Sequence, residues 1–315
     1  MRLPLCLLVG LPLLAVITLA QQPQTSGLEV IHVRGNVYMF ASDEGNITVQ
    51  VGEHRDNDGV LMVDTGPAEL TARVLTALTQ LTHKPLRYLV NTNADPDHAG
   101  GNAIISKNGG YHETGGNGPK APDINIYTQD NTLTRLSAPE AHVPAAGLPS
   151  MTFDRLKDFT FNGEGVQLYS EAPAHTDGDA IVFFRGSNVI SAGDIFSTEG
   201  YPVIDLARGG SIQGEVKALN HLLELTVPEI SQEGGTMVIP GHGRLCDEAD
   251  VTEYRDMVTI IRDRVADLIK KGKSLSEVQA ARVTRDYDGR YSRPAWTGEM
   301  FVESIYNSLK PSGSQ

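Results

Sequence analysis

Four short runs rich in β-branched and aromatic residues, at 28–33, 37–40, 47–51 and 60–63, are separated by Gly35-Asn36, Gly45-Asn46 and Asp58-Gly59. Strand-forming runs punctuated by turn pairs predict an antiparallel meander. After Asp64-Thr65-Gly66-Pro67 the period changes. Leu70, Val74, Leu78 and Leu81 fall on one helical face, and Pro67 suits a first helical turn. A strand over 86–90 then leads directly into the polar run Asn93-Ala94-Asp95-Pro96-Asp97-His98. The candidate chemistry therefore sits on a loop leaving a buried strand, a common place for binding residues in layered α/β folds.

The second half repeats this order. Strands are predicted over 159–161, 166–169, 180–184 and 189–191, a helix over 212–225, and a short strand over 237–239 that ends in Pro240-Gly241-His242-Gly243. Val251, Tyr254, Val258, Ile261, Val265 and Leu268 then form an apolar stripe opposite Glu253, Arg262, Asp263 and Lys270, the pattern of a scaffold helix. Two halves of strands followed by helices fit an α/β fold of the αββα sandwich type, two mixed sheets flanked by helices, better than a parallel-sheet fold. Between the halves, residues 107–121 carry Gly109-Gly110, Gly115-Gly116 and Gly118-Pro119 and read as a surface loop. Such a loop is either a pocket wall or an ordinary insertion.

Composition narrows the partners. A 315-residue chain with 40% apolar residues supports one elaborated domain, placed at 28–309 with a tail at 310–315. A net charge of −13 with no run of basic residues excludes nucleic acid as an expected partner and leaves a small-molecule substrate. Residues 1–20 combine an early Arg2, an apolar stretch and small residues before Gln21, the pattern of a secretory signal peptide. A periplasmic or secreted location without a stable membrane anchor is expected. Of the two cysteines, Cys6 would leave with that segment, and Cys246 alone cannot form an internal disulfide.

Four segments, each ending a predicted strand, carry the candidate ligands: Asn93 to His98, Ala174-His175-Thr176-Asp177-Gly178-Asp179, Ser191-Ala192-Gly193-Asp194, and Pro240 to Gly243. Together with the Val63-Asp64-Thr65-Gly66 turn, their order and spacing resemble the metallo-β-lactamase superfamily. Within it, Asp194-Ile195-Phe196, 201–205 and 209–212 resemble a secreted branch that includes proteins linked to quinoprotein and sulfur oxidation. The resemblance implies a first metal set of Asn93, Asp95 and His175 and a second of Asp97, His98 and His242, with Asp194 bridging. It also implies that Asp64 supports the ligand loop, and Asp179 is expected to orient His175.

The family's first run reads His-x-His-x-Asp-His, so Asn93 and Asp95 stand where imidazoles are expected. A neutral amide is a poor Zn²⁺ ligand and a carboxylate an acceptable one. Three occupancies are open: one Zn²⁺ in the complete second set, which is preferred; two ions with Mn²⁺ or Fe²⁺ in a carboxylate-rich first set; or a metal-free relic. The last would crowd Asp95, Asp97, Asp177 and Asp194 together with no Lys or Arg inside the motifs.

The expected activity is metal-dependent hydrolysis of an ester, lactone, thioester or amide-type bond, with Asp97 as the catalytic base. No Gly-x-Ser-x-Gly elbow competes. β-Lactam opening is not favoured, because lactamase members of the family generally carry Cys or Ser at the position of Asp194. The alternative is a non-catalytic periplasmic protein that binds a metal or cofactor on the same scaffold. Asn46-Ile47-Thr48 also matches a glycosylation sequon.

Overall fold

The computed structural model describes residues 27–52, 58–108, 124–171, 173–227 and 234–310. The predicted export segment, the glycine-rich stretch from 109 on and the residues after 310 lie outside the described residues.

Alternation along the first strands sorts their side chains into two layers. β1 (Glu29–Arg34), β2 (Val37–Ser42), β3 (Gly45–Val51) and β4 (Val60–Val63) pair antiparallel in order. β5 (Leu86–Val90), β6 (Asn125–Gln129) and β7 (Met151–Phe153) extend the sheet in parallel. Val37, Met39, Leu61 and Val63 point between the two sheets of the fold, whereas Phe40, Ile47, Val49 and Met62 point outward. The period-2 geometry of a strand enforces this division. The outward face is covered by α1 (Thr71–Leu81) through Val74 and Leu78. After the short helix α2 (Pro96–Ala99), α3 (Asn102–Asn108) adds Ile105. α4 (Asp130–Leu136) connects β6 to the β7 edge.

The second sheet runs β13-β12-β11-β10-β9-β8. Its strands are β8 (Leu156–Phe161), β9 (Glu164–Ser170), β10 (Ala180–Phe184), β11 (Val189–Ser191), β12 (Met237–Ile239) and β13 (Cys246–Asp247). Val166, Leu168, Val182, Phe184 and Ile239 meet the first sheet, and Ile181, Ile190 and Val238 face helices. Those helices are α5 (Ile212–Thr226), α6 (Glu248–Lys270) and, after α7 (Leu275–Ala280) and α8 (Asp288–Tyr291), α9 (Gly298–Leu309). Each fully buried Val, Leu, Ile or Phe contributes about 1.5–3 kcal/mol relative to exposure. The layers are α, β, β, α, as the sequence predicts. No helix among the described residues is long and apolar enough to cross a membrane.

Three strands, besides the shorter helices, escape the sequence pattern. β6 follows the glycine-rich stretch, and β7 and β13 are three and two residues long. Strands this short carry too few alternations to register, and they exist because a neighbouring strand supplies the pairing. The sequon reading is also corrected. Asn46 is buried, and its Nδ2 donates to the carbonyls of Pro240 and Gly243 at 2.9 Å each. Its amide therefore pins β3 to the His242 loop and is closed to a glycan.

Glu215 on α5 is fully buried, and neither carboxylate oxygen has a hydrogen-bond partner. Burial, reinforced by the charges of Asp179 and Asp194, pushes its carboxyl well above the ordinary 4.5. A raised folded-state pKa leaves stability intact below 4.5 and erodes it as pH rises toward the folded value, by about 1.4 kcal/mol per pH unit. Glu215→Gln, which does not titrate, should therefore gain stability over the wild type as pH rises from 5 to 8. Thermal melts across that range check this; a gap independent of pH would contradict it.

Candidate metal centre

The four motif segments converge where both sheets end. β4 stops at Asp64, which adopts φ +64, a left-handed conformation that Asp tolerates better than most residues. The turn directs its carboxylate back to accept from Thr92 N at 2.8 Å, Thr92 Oγ1 at 2.7 Å and His98 Nδ1 at 2.8 Å. Asp64 thus does what the resemblance implies: it holds the ligand loop and fixes the His98 ring. Pro96 begins α2, and this single turn carries Asp97 and His98. Gly193, at φ +54, lets the chain after β11 turn so that Asp194 enters the site. At Gly241 a Cβ would lie 2.6 Å from Asp194 Oδ1, so only glycine admits that carboxylate.

Asp194 stands between the two predicted sets, one oxygen toward each. Its Oδ1 lies 3.1 Å from His98 Nε2 and 3.4 Å from His242 Nε2; its Oδ2 lies 3.6 Å from His175 Nε2 and accepts from Asn93 Nδ2 at 2.9 Å. On the side of the second set, His242 Nε2 is also 3.3 Å from Asp97 Oδ2. One ligand atom each from Asp97, His98 and His242 lies within 4.8 Å of the others, and the same holds for Asp95, His175 and Asp194.

The donor chemistry of the two sets differs. His98 Nδ1 lies 2.8 Å from the Asp64 carboxylate, so Nε2 is turned toward the site. That nitrogen is buried and lies 3.1 Å from Asp194 Oδ1; against the cost of burial, Asp194 and Asp64 hold the imidazole well above its ordinary 6.5. Two imidazoles and the Asp97 carboxylate converging beside Asp194 are a donor set that suits a borderline cation such as Zn²⁺, which would take the place of the imidazole protons. The second set therefore fits a metal.

The first set is already satisfied. Asn93 Oδ1 accepts from the backbone N–H of Asp95 at 2.8 Å, which fixes the amide orientation, so Asn93 presents a donor rather than a lone pair to Asp194. His175 Nδ1 donates to the carbonyl of Val203 at 2.6 Å, and its Nε2 is hydrogen-bonded to Asp95 Oδ2 at 3.1 Å. Asp95 also accepts from both terminal nitrogens of Arg208, with Nη2 to Oδ2 at 2.9 Å.

Arg208 is the residue that sequence reasoning missed. It lies 113 positions from Asp95. The only signal was the Asp205-x-x-Arg208-Gly209-Gly210 turn before α5, where attention falls on the glycines and on Ser211, which caps α5 by accepting from Gly214 N at 3.0 Å. The crowding expected among four carboxylates is relieved from outside the motifs: Arg208 pairs with Asp95, and Arg135 with Asp177 at 2.6 Å. Asp179 departs from expectation too. It accepts from Thr176 N and Oγ1 at 2.7 and 2.6 Å, and the Val203 carbonyl, not Asp179, orients His175.

Charge in the pocket is balanced toward cations. Burial works against a proton on His175 and His242, yet the facing carboxylates win. Asp95 and Asp194 bring His175 to about 10, and Asp194 and Asp97 bring His242 to about 9. Burial would likewise raise Asp194, but His98, His242 and His175 hold it well below the usual carboxylate range. A divalent cation must displace protons from His98 and His242, both held above the ordinary 6.5, so its affinity should rise with pH between 6 and 9. Isothermal titration in buffers of different ionisation enthalpy should detect proton release at pH 7; affinity independent of pH would contradict this.

The metallo-beta-lactamase superfamily model matches residues 43–242, which contain every segment just described. The chain belongs to the metallo-beta-lactamase superfamily. Compared with the curated proteins, it matches none of them. Among solved structures, the metallo-beta-lactamase from Pontibacter korlensis is similar with a TM-score of 0.57 and 17% identity, over 74% of this chain and 99% of that one. The stereoselective inverting sec-alkylsulfatase of Pseudomonas sp. reaches a TM-score of 0.66 at 14% identity over 91% of this chain. This chain spans 51% of the length of that enzyme. The DIM-1 metallo-beta-lactamase gives a TM-score of 0.56 at 16% identity, over 74% of this chain and 98% of that one. At such identities the likeness to these structures shows the fold.

Proposed function

We propose that the chain is an exported hydrolase that uses one divalent cation, held by Asp97, His98, His242 and Asp194, to cleave an ester, lactone, thioester or amide-type bond in a small molecule. The observation that carries this reading is the convergence of His98, His242 and Asp97, one ligand atom of each within 4.8 Å of the others, with the buried His98 Nε2 3.1 Å from Asp194 Oδ1. When bound, the cation would supply Lewis-acid activation of water and polarisation of the scissile group. The protein's own groups supply the rest.

Asp64 holds the His98 ring so that Nε2 faces inward, the supporting role that carboxylates commonly play behind metal-binding imidazoles. Asp97, with a partly exposed side chain beside His242, is placed to accept the proton of the attacking water at its carboxylate and pass it to solvent. Val203 and Leu206 expose apolar side chains on the segment that carries Arg208, which suits a substrate with an apolar portion.

The test is a hydrolysis screen of metal-loaded protein against carboxylic esters, lactones, thioesters, β-lactams and sulfate esters, the last because the sec-alkylsulfatase shares the fold. Turnover of at least one class that disappears in His98→Ala supports the reading. Full activity in His98→Ala, or wild type that binds no divalent ion, overturns it.

A further inference from the structure

We infer that the guanidinium of Arg208 is the resident cation of the first position, occupying by ion pairing the place where a second metal would otherwise bind. This rests on the single-cation reading above and sharpens it: one half of the centre is built for a metal, and the other is closed to one.

Three observations carry the inference. Asp95, the one carboxylate particular to the first set, has both oxygens bound by Arg208 and one also by His175. A metal recruiting Asp95 would break this two-point pair and leave a guanidinium beside a dication. Asn93 cannot assist, because its oxygen is held by the Asp95 backbone and its nitrogen points at Asp194.

Arg208 is also held at both ends. Its Nε donates to Asp205 Oδ2 at 2.7 Å, its backbone N–H to Asp205 Oδ1 at 2.9 Å, and its carbonyl accepts from Arg135 Nη2 at 2.7 Å and Asp177 N at 3.0 Å. A surface arginine that swung into the site by chance would not be clamped through its backbone and its side chain. Asn93 and Arg208 form one arrangement: the lost imidazoles and the gained guanidinium replace a metal with an organic cation of fixed position.

The experiment is titration of metal-free protein with Zn²⁺, read as stoichiometry and affinity by calorimetry and by metal analysis after gel filtration. Wild type should retain one equivalent, and any second ion should bind weakly. Arg208→Ala, which frees Asp95 to act with His175 and Asp194, should bind a second ion roughly tenfold more tightly than wild type, within the ordinary range of coupling between competing ligands. Asn93→His is the companion variant, which leaves the Arg208 clamp intact. It should still hold one equivalent, because the guanidinium remains.

Two tightly held ions in wild type, an unchanged second affinity in Arg208→Ala, or a second equivalent restored by Asn93→His alone would overturn the inference. Its outcome is read on the second equivalent only. Failure of the hydrolase reading shows instead on the first equivalent, through His98→Ala.

Discussion

Asp194→Ala should abolish both metal retention and turnover. Asp194 approaches His98, His242 and His175 at 3.1, 3.4 and 3.6 Å and accepts from Asn93, so among the described residues it is the side chain that touches both halves of the centre. Without a bound Lewis acid, water would lose the activation the cation supplies, and turnover should fall by roughly three orders of magnitude or more. A second readout separates this from unfolding. The carboxylate shares with Asp97 the rise of His242 to about 9 and with Asp95 the rise of His175 to about 10, so its loss should lower both imidazoles in the metal-free protein. Proton titration by NMR would show that shift in a folded variant. Unchanged metal content with unchanged turnover would remove Asp194 from the centre.

Asp97→Asn should act differently. The amide keeps an oxygen near His242 but loses the capacity to take a proton, so turnover should fall by roughly 10²- to 10⁴-fold, the ordinary contribution of a positioned base. Metal affinity should fall less than turnover, since His98, His242 and Asp194 remain. Steady-state kinetics beside calorimetric metal titration check this. A proportional loss of both would make Asp97 a ligand only, and loss of neither would place the proton transfer elsewhere.

The fold was legible where the pattern was long. Met39 and Phe40, or Leu61 and Met62, face the inter-sheet space and the helical layer in turn, but what is visible without coordinates is the apolar run each belongs to and the turn pairs that bound it. The stripe from Val251 to Leu268 likewise announces α6, observed over Glu248–Lys270. β7 and β13 were invisible because their existence depends on a neighbour rather than on their own composition.

The same boundary runs through the site. Asp64, Asp97, His98, His175, Asp194 and His242 each end or follow a strand, so topology alone brings them together. What sequence could not supply is the use of each donor atom. That Asn93 turns its nitrogen to Asp194 and that Arg208 reaches Asp95 are consequences of tertiary packing between segments far apart in the chain, whereas Asp179 serves Thr176 within its own turn. The departure of Asn93 and Asp95 from the family pattern is therefore legible as a departure. Its compensation is legible only in three dimensions.

The most direct test of the account is an anomalous difference map from crystals grown with Zn²⁺ and measured at the zinc edge. One peak per chain is predicted, between His98 Nε2, His242 Nε2, Asp97 and Asp194, with Arg208 still paired to Asp95. A peak between Asp95 and His175, or no peak beside His98, would contradict it.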